Sequence, residues 1–310
     1  MPARVGRGSC HGIAIGRWLV VTLDTRPSPD PTAEIAALDP DKDYERIAFL
    51  LANQLFPYTI EKSLEYALFK TYALPTVSRI LAATGEFTAR AQKRYDDTVL
   101  LLAEISENGF DDPDARAALK RINAMHGRFR IRNEDFLYTL STFVFEPIRA
   151  LERYGPRPMT AGEQRAWFNA YRRLGAEMRI ADLPEDLAGF RVWREAFERR
   201  EMRFEPTNRV VADATVKVLL DMLKVPALLR GAAKAALVAL MEQHVARAFG
   251  YPQPNRAVLA VVNGAMAARK YVAGLLPDGK RLRLQTRRNL PTYRGNYRIG
   301  ELGTFAPPRD

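Results

Sequence analysis

The chain has one cysteine, Cys10, in 310 residues. A single thiol can form no internal disulfide and no multi-thiolate metal site, which fits a reducing compartment. Histidine is nearly as scarce: His11, His126 and His244 are the only three. Also absent are HExxH, G-x-S-x-G, the Rossmann glycine set, a phosphate-binding glycine loop, zinc-finger spacing and the RNA-binding aromatic signature. Zinc-peptidase, serine-hydrolase and dinucleotide-binding chemistry therefore have no motif to stand on. The apolar stretch Ile13 to Leu23 is broken by Arg17 and falls far short of the roughly 20 residues of a bilayer-spanning helix. Arg4 and Arg7 precede it as in a signal peptide, but Asp24 to Pro31 offers no small-residue cleavage site. A cytoplasmic protein is expected, with no transmembrane helix and no signal peptide.

What is present favours a folded domain. Hydrophobic residues make up 47% of the chain, enough for a packed interior, and neither an internal repeat nor a Gly/Ser linker divides it. Lys and Arg number 47 against 36 Asp and Glu, a net charge of +11. That excess suits anionic lipid, nucleic acid or a carboxylate-bearing cofactor, and suits a generally Arg-rich composition equally. With no nucleic-acid motif, no nucleic-acid partner is expected. Cations concentrate in the tail from Gly279 to Arg298, where Arg281 to Thr286 could form one short strand. That tail is a candidate for peripheral membrane contact.

Residues 1–38 read as an irregular arm ending in the turn cluster Pro27 to Pro31, and residues 39–310 as one helical domain. Asp39–Pro40 and Asp112–Pro113 suit an N-cap followed by an N1 proline, and Thr160 with Glu163 suits a capping box. Gly85, Gly109 and Gly155 stand where left-handed helix ends are expected. Leu137, Leu140, Val144, Ile148 and Leu151 form one helical stripe. Leu237, Leu240, Met241, His244 and Ala248 form another. The class is all-α.

His11 lies in the arm and is assigned nothing. His126 continues the stripe Ala115, Ala118, Leu119, Ile122, so its imidazole is expected to point inward; the alternatives are a core histidine bonded to a carbonyl or a metal ligand. Arg128, Arg130 and Arg132 follow it, suited to carboxylates or phosphates. His244 is expected to face inward on its own helix, as an opposing ligand, a proton relay or an unrelated core group. Arg94 opens a helix running from Thr88 to about Glu107, sharing a face with Thr98, Leu101, Leu102 and Ile105. It either snorkels to the edge or faces a bound planar cofactor, with Thr98 a turn away as hydroxyl donor. A non-haem site would need His126, His244 and a carboxylate such as Glu242 or Asp135.

Several segments together carry a resemblance: Lys70 to Gly85 (KTYALPTVSRILAATG), Lys93 to Thr98 (KRYDDT), Ala124-Met-His126 and Asp135 to Arg149 (DFLYTLSTFVFEPIR). With Tyr154 to Thr160, Lys224-Val-Pro226 and His244 to Pro254, they make the stretch from Leu64 to Thr304 similar to the family of the fungal mpaB oxygenase and the bacterial rubber oxygenase (latex clearing protein), closer to the mpaB branch. The resemblance implies a single large multi-helix orthogonal bundle around a central cofactor pocket, with a short irregular C-terminal tail. It implies haem b as cofactor, with His126 as axial ligand, Arg94 and Thr98 facing the iron, and Arg128 or Arg132 pairing with a propionate; His244 is the reserve ligand or relay. The implied reaction is oxidative cleavage of carbon–carbon double bonds in a hydrophobic, isoprenoid substrate by O2. In the rubber oxygenase an Arg-x-x-Lys-Thr segment faces the haem. Here Asp97 stands at the lysine position and Ser78 near the position of the catalytic glutamate. The membrane anchor of the mpaB branch is not matched. Two other classes remain: a haem-free helical lipid- or terpenoid-binding protein, and a basic peripheral membrane protein.

Overall fold

The structure, a computed structural model, describes residues 30–275, 282–293 and 296–304. Cys10 and His11 lie outside them. Among the described residues there are fourteen α-helices and no strand, so the fold is all-α. In chain order they are α1 (Pro31–Ala37), α2 (Tyr44–Leu50), α3 (Pro57–Thr71), α4 (Pro75–Thr84), α5 (Glu86–Ala89), α6 (Ala91–Asn108) and α7 (Pro113–His126). The remainder are α8 (Asn133–Tyr154), α9 (Ala161–Glu177), α10 (Leu187–Glu201), α11 (Pro206–Met222), α12 (Arg230–Leu240), α13 (Gln243–Ala248) and α14 (Arg256–Leu275).

The helix starts follow their local chemistry. Asp30 accepts the Thr32 N–H at 3.0 Å with Pro31 at N1, so the last residues assigned to an irregular arm form α1 instead; Ile35 and Leu38 pack on the core. Asp39–Pro40 begins no helix. The Asp39 carbonyl closes a turn onto the Asp43 N–H at 2.7 Å, and α2 starts at Tyr44. Asp112 caps α7 by accepting from Asp114, and Thr160 and Glu163 form the full capping box of α9. Gly85 and Gly109 take positive φ, +69° and +86°. Gly155 does not, having φ −76°; it is glycine for space, since a Cβ there would lie 2.7 Å from Leu151 Cδ2.

Helices α3 and α8 form the most extensively packed pair. Every residue of the expected α8 stripe is buried. Pro147 inside α8 has no N–H, which leaves the Phe143 carbonyl without its helical donor, and the Trp167 indole Nε1–H supplies one at 3.1 Å. One core cluster gathers α2, α3, α8, α9 and α10, with Trp167, Phe168 and Phe190. A second gathers α3, α5, α11, α12 and α13 around Phe69, Tyr72 and Phe249. The α6–α7 hairpin builds a third with the C-terminal residues Leu290 and Leu302.

The described part of the tail forms no strand; the Arg283 N–H makes a single ladder-like bond to the Asn53 carbonyl at 2.8 Å. Nor is it a free basic arm. It lies along α6 and donates to that helix's carboxylates: Thr286 to Glu107, the Thr292 N–H to Asp96 at 2.9 Å, Tyr293 to Asp97 at 2.5 Å and Tyr297 to Glu104. Arg288 pairs with Glu61 at 2.9 Å. The strap ends against α7, where the Arg121 Nε–H donates to the Leu302 carbonyl at 2.7 Å and Gly303, at φ +95°, sits on the Met125 sulfur.

Candidate functional site

His126 is the last residue of α7, and its N-terminal stripe neighbours Ala115, Ala118, Leu119 and Ile122 are buried as the periodicity predicts. The Phe129 N–H closes the following turn onto the His126 carbonyl at 3.0 Å. The ring meets Phe136 of α8 edge-on, with centroids 5.3 Å apart. Its Nδ1 is buried and has no hydrogen-bond partner among the described residues. Burial, and then the positive charge of Arg94, push the imidazole down to about 4, so it is neutral at pH 7.

Arg94 stands in the first turn of α6, where Arg90 breaks the expected continuous helix from Thr88 with φ −140°. Its Nη1 donates to Thr98 Oγ1 at 2.5 Å, and the Thr98 hydroxyl donates back to the Arg94 carbonyl at 2.9 Å. No carboxylate lies within ion-pair distance of Arg94 among the described residues. Its charge reaches His126 and the buried phenol of Tyr72, whose pKa burial holds well above the ordinary value. The structure thus brings Arg94, Thr98, His126, Tyr72 and Phe136 into one half-buried, electropositive, largely apolar neighbourhood. A cavity of about 510 Å³ is lined by Ile80, Ala83, Thr84, Thr304, the Glu86–Arg90 ion pair and Phe129, whose N–H bonds the His126 carbonyl; none of Arg94, Thr98, His126, Tyr72 or Phe136 lines it.

The other sequence candidates part company with it. Arg128 is exposed. Arg132 precedes α8 and is bound by Asp135 at 2.7 and 3.0 Å and by Glu201 at 3.2 Å, tying α8 to α10. Asp97, at the lysine position, is held by Lys93 at 2.8 Å and by Tyr293, so it clamps the strap. Ser78 is buried and bonded to Asn208 at 2.6 Å and Thr207 at 2.7 Å.

His244 does not face inward. The helix expected to carry Leu237 through Ala248 on one stripe breaks at Met241, with ψ 154°, and α13 starts in a new phase that leaves the His244 side chain 43% exposed. Its Nε2 lies 3.0 Å from Glu198 Oε2. That carboxylate belongs to a buried charge cluster with no sequence motif behind it. Lys70, fully buried, contacts Glu242 at 2.8 Å, Glu198 at 3.0 Å and Glu146 at 3.1 Å. Arg149 bridges Glu146 and Glu242, Arg194 approaches Glu146 and Glu198, and the hydroxyls of Tyr66 and Tyr138 donate to Glu242 and Glu198. Burial alone would lower the Lys70 pKa, but the three carboxylates more than reverse it, and it stands above its ordinary value. Glu198, in turn, is held down at about 2 against its own desolvation by His244, Lys70 and Arg194. The one sequence signal for the cluster was Lys70, a cation with Tyr66, Ala67, Ala73 and Leu74 three and four residues away on either side. Tyr72 and Phe136 had no signal beyond lying in the segments Lys70 to Gly85 and Asp135 to Arg149.

A family model described as "ER-bound oxygenase mpaB/B'/Rubber oxygenase, catalytic domain" matches residues 66–271. The ER-bound oxygenase mpaB' of Penicillium brevicompactum is 30% identical over 260 residues, 78% of this chain and 61% of that protein. ER-bound oxygenase mpaB of the same fungus is 31% identical over 209 residues, 62% of this chain and 53% of the relative. The mpaB of Penicillium roqueforti (strain FM164) is 31% identical over 208 residues, 61% of this chain and 70% of its own length. The chain thus spans less than two thirds of the two P. brevicompactum proteins.

Proposed function

From the premise that the chain belongs to the mpaB/rubber oxygenase family, we propose that it is a haem b-dependent oxygenase that uses O2 to cleave a carbon–carbon double bond in a hydrophobic, isoprenoid-class substrate. The observation that carries the reading is the His126 imidazole. A histidine kept in a core for structural reasons gives its ring nitrogen to a carbonyl or hydroxyl. This one leaves a buried nitrogen unpartnered among the described residues and is held neutral, which is the protonation state and donor type that haem iron takes. His126 would hold the haem. His244 drops to an outside role, because its Nε2 is already engaged by Glu198.

When bound, haem would supply the O2 chemistry, and the chain's own groups would supply charge, dryness and orientation. Arg94, a cation with no carboxylate beside it among the described residues, would supply positive charge beside the group that His126 holds. Thr98 fixes the Arg94 side chain by accepting one hydrogen bond from it, while its own hydroxyl proton is held on the Arg94 carbonyl. A propionate would pair with Arg128 or Arg132, of which Arg132 also holds Asp135 and Glu201. Ile80, Ala83 and Phe129 give an apolar chain a wall to lie against. With Asp97 clamping the strap and Ser78 bonded to Asn208, the proton and ligand roles of the rubber enzyme's glutamate and lysine have no carrier at those positions. The protein is assigned to the cytoplasm, with peripheral access to membranes where such substrates partition.

Haem reconstitution of the wild type, His126→Ala and His244→Ala, read by absorption and pyridine haemochrome, tests the reading. A stoichiometric Soret band is expected in the wild type and in His244→Ala, and its loss in His126→Ala. A colourless wild type would overturn the proposal and leave a haem-free apolar-ligand carrier built on the same cavity.

A further inference from the structure

Helix α14 is built inside out. It runs for 20 residues without one buried position. Its two central cations turn toward the protein: Arg269 donates to the Tyr154 carbonyl at 2.8 Å and Lys270 to the Glu152 carbonyl at 2.8 Å, satisfying the last turn of α8. The side left outward is apolar. Val261, Tyr271, Val272 and Leu275 are 71%, 71%, 53% and 68% exposed, and the small residues Ala260, Gly264 and Ala268 lie between them. α12 packs against α14 and also against the corner that leads into it. At that corner Leu223, Leu228 and Leu229 are exposed, Leu228 at 94%. Scattered surface leucines need no explanation, but a whole uncharged helix face beside a leucine corner exceeds what a monomer ordinarily leaves in water.

Charge says what covers it. Between Asp221 and Asp278 the chain has one acidic residue, Glu242, and that carboxylate is neutralised by Lys70 and Arg149. The same span holds seven Lys and Arg; Arg230 and Lys234 pair with Asp221 and Asp213 and Arg269 and Lys270 turn onto α8, which leaves Lys224, Arg247 and Arg256 as exposed cations without a carboxylate among the described residues. A second copy of the chain would set this positive surface against itself, whereas an anionic surface complements it. α14 is not long and apolar enough to cross a bilayer, but at about 30 Å it suits a helix that lies along one with its apolar face in the headgroup boundary. We propose that α14 and the Leu223–Leu229 corner form a docking face for the surface of an anionic lipid bilayer. This goes beyond the oxygenase reading and does not depend on haem.

The test is co-sedimentation of the full chain with vesicles of phosphatidylcholine alone or with phosphatidylserine. Wild type is compared with Leu228→Asp/Leu229→Asp, Val261→Asp/Val272→Asp and Lys224→Glu/Arg256→Glu. All six positions are exposed, and far-UV circular dichroism checks that each variant folds. Wild type should bind the anionic vesicles. Either aspartate pair should weaken binding at least about tenfold, because two apolar anchors are lost. The charge-reversal pair should weaken it by roughly fivefold per cation at low salt and less at high salt. Haem uptake should be unchanged in all three. Absence of wild-type binding, or binding that the aspartate pairs leave intact, overturns the proposal. So does light scattering that finds a dimer dispersed by Val261→Asp/Val272→Asp without vesicle binding, which would make a second copy the occupant.

Discussion

Replacing His126 with leucine, a side chain of similar volume, separates a poised ligand from a structural core group. An unpaired buried acceptor costs about 1–3 kcal/mol. The His126 ring is partly exposed while its Nδ1 is buried, so the lower end applies, and protein purified without haem should gain about 1 kcal/mol at pH 7.5 in the variant. The effect should grow in acid. The unfolded histidine titrates at its ordinary 6.5 and the folded one at about 4. Between those values the unfolded chain binds a proton that the folded chain refuses, so the wild type loses stability as pH falls from 6.5 toward 4. The leucine variant has no such group. Each pH unit in that window is worth about 1.4 kcal/mol, and with a discount for exposure the gap should widen by about 2 kcal/mol by pH 4.5. Urea unfolding followed by tryptophan fluorescence at pH 7.5 and 4.5 measures both numbers. A variant less stable than wild type at pH 7.5, or a gap that does not change with pH, would show that His126 is bonded in the core, and its assignment as a ligand would fail with it.

Lys70→Met leaves Glu146, Glu198 and Glu242 with one cation fewer in a buried site and should cost about 3–5 kcal/mol at pH 7 in a thermal or urea melt. Because the Glu198 and Glu242 pKa values are lowered in the fold, the stability they contribute is present above the ordinary carboxylate range and lost as pH falls, so the deficit should shrink below about pH 4; a loss under about 1 kcal/mol at pH 7 would mean the cluster is hydrated rather than closed. Tyr293→Phe removes the phenol that donates to Asp97 and should loosen the strap by about 1 kcal/mol, seen as roughly fivefold faster tryptic cleavage after Arg287 or Arg288. Unchanged cleavage would mean that Asp96, Glu104 and Glu107 hold the strap without it.

Local rules carried much of the fold. Caps at Asp112 and Thr160, the α8 stripe and the inward phase of His126 depend on residues within a turn or two of each other, so 3.6-residue periodicity and capping chemistry reveal them before any tertiary contact is known. The family membership was legible for a related reason: the segments around Lys70, Lys93, His126 and Asp135 are contiguous stretches, and these segments are where the neighbourhood of His126 and the charge cluster later assemble. The failures occur where periodicity loses its phase or long-range contact takes over. Met241 breaks a helix that the stripe treats as continuous, which rotates His244 outward. Asp39–Pro40 has the composition of a cap, but the Asp43 N–H closes it into a turn. The Gly279–Arg298 cations read as an outward arm because the sequence does not show that Asp96, Asp97, Glu104 and Glu107, about 180–200 residues earlier, form the surface on which the tail lies. Likewise no spacing rule joins Lys70 to Glu146, Glu198 and Glu242, or turns Arg269 and Lys270 of α14 inward. An all-helical chain, its main caps and an inward His126 follow from the order of residues alone. Which charges are buried against one another, and which apolar face is left in water, emerges only when the helices pack, because desolvation and charge pairing depend on distances between helices that no local pattern encodes.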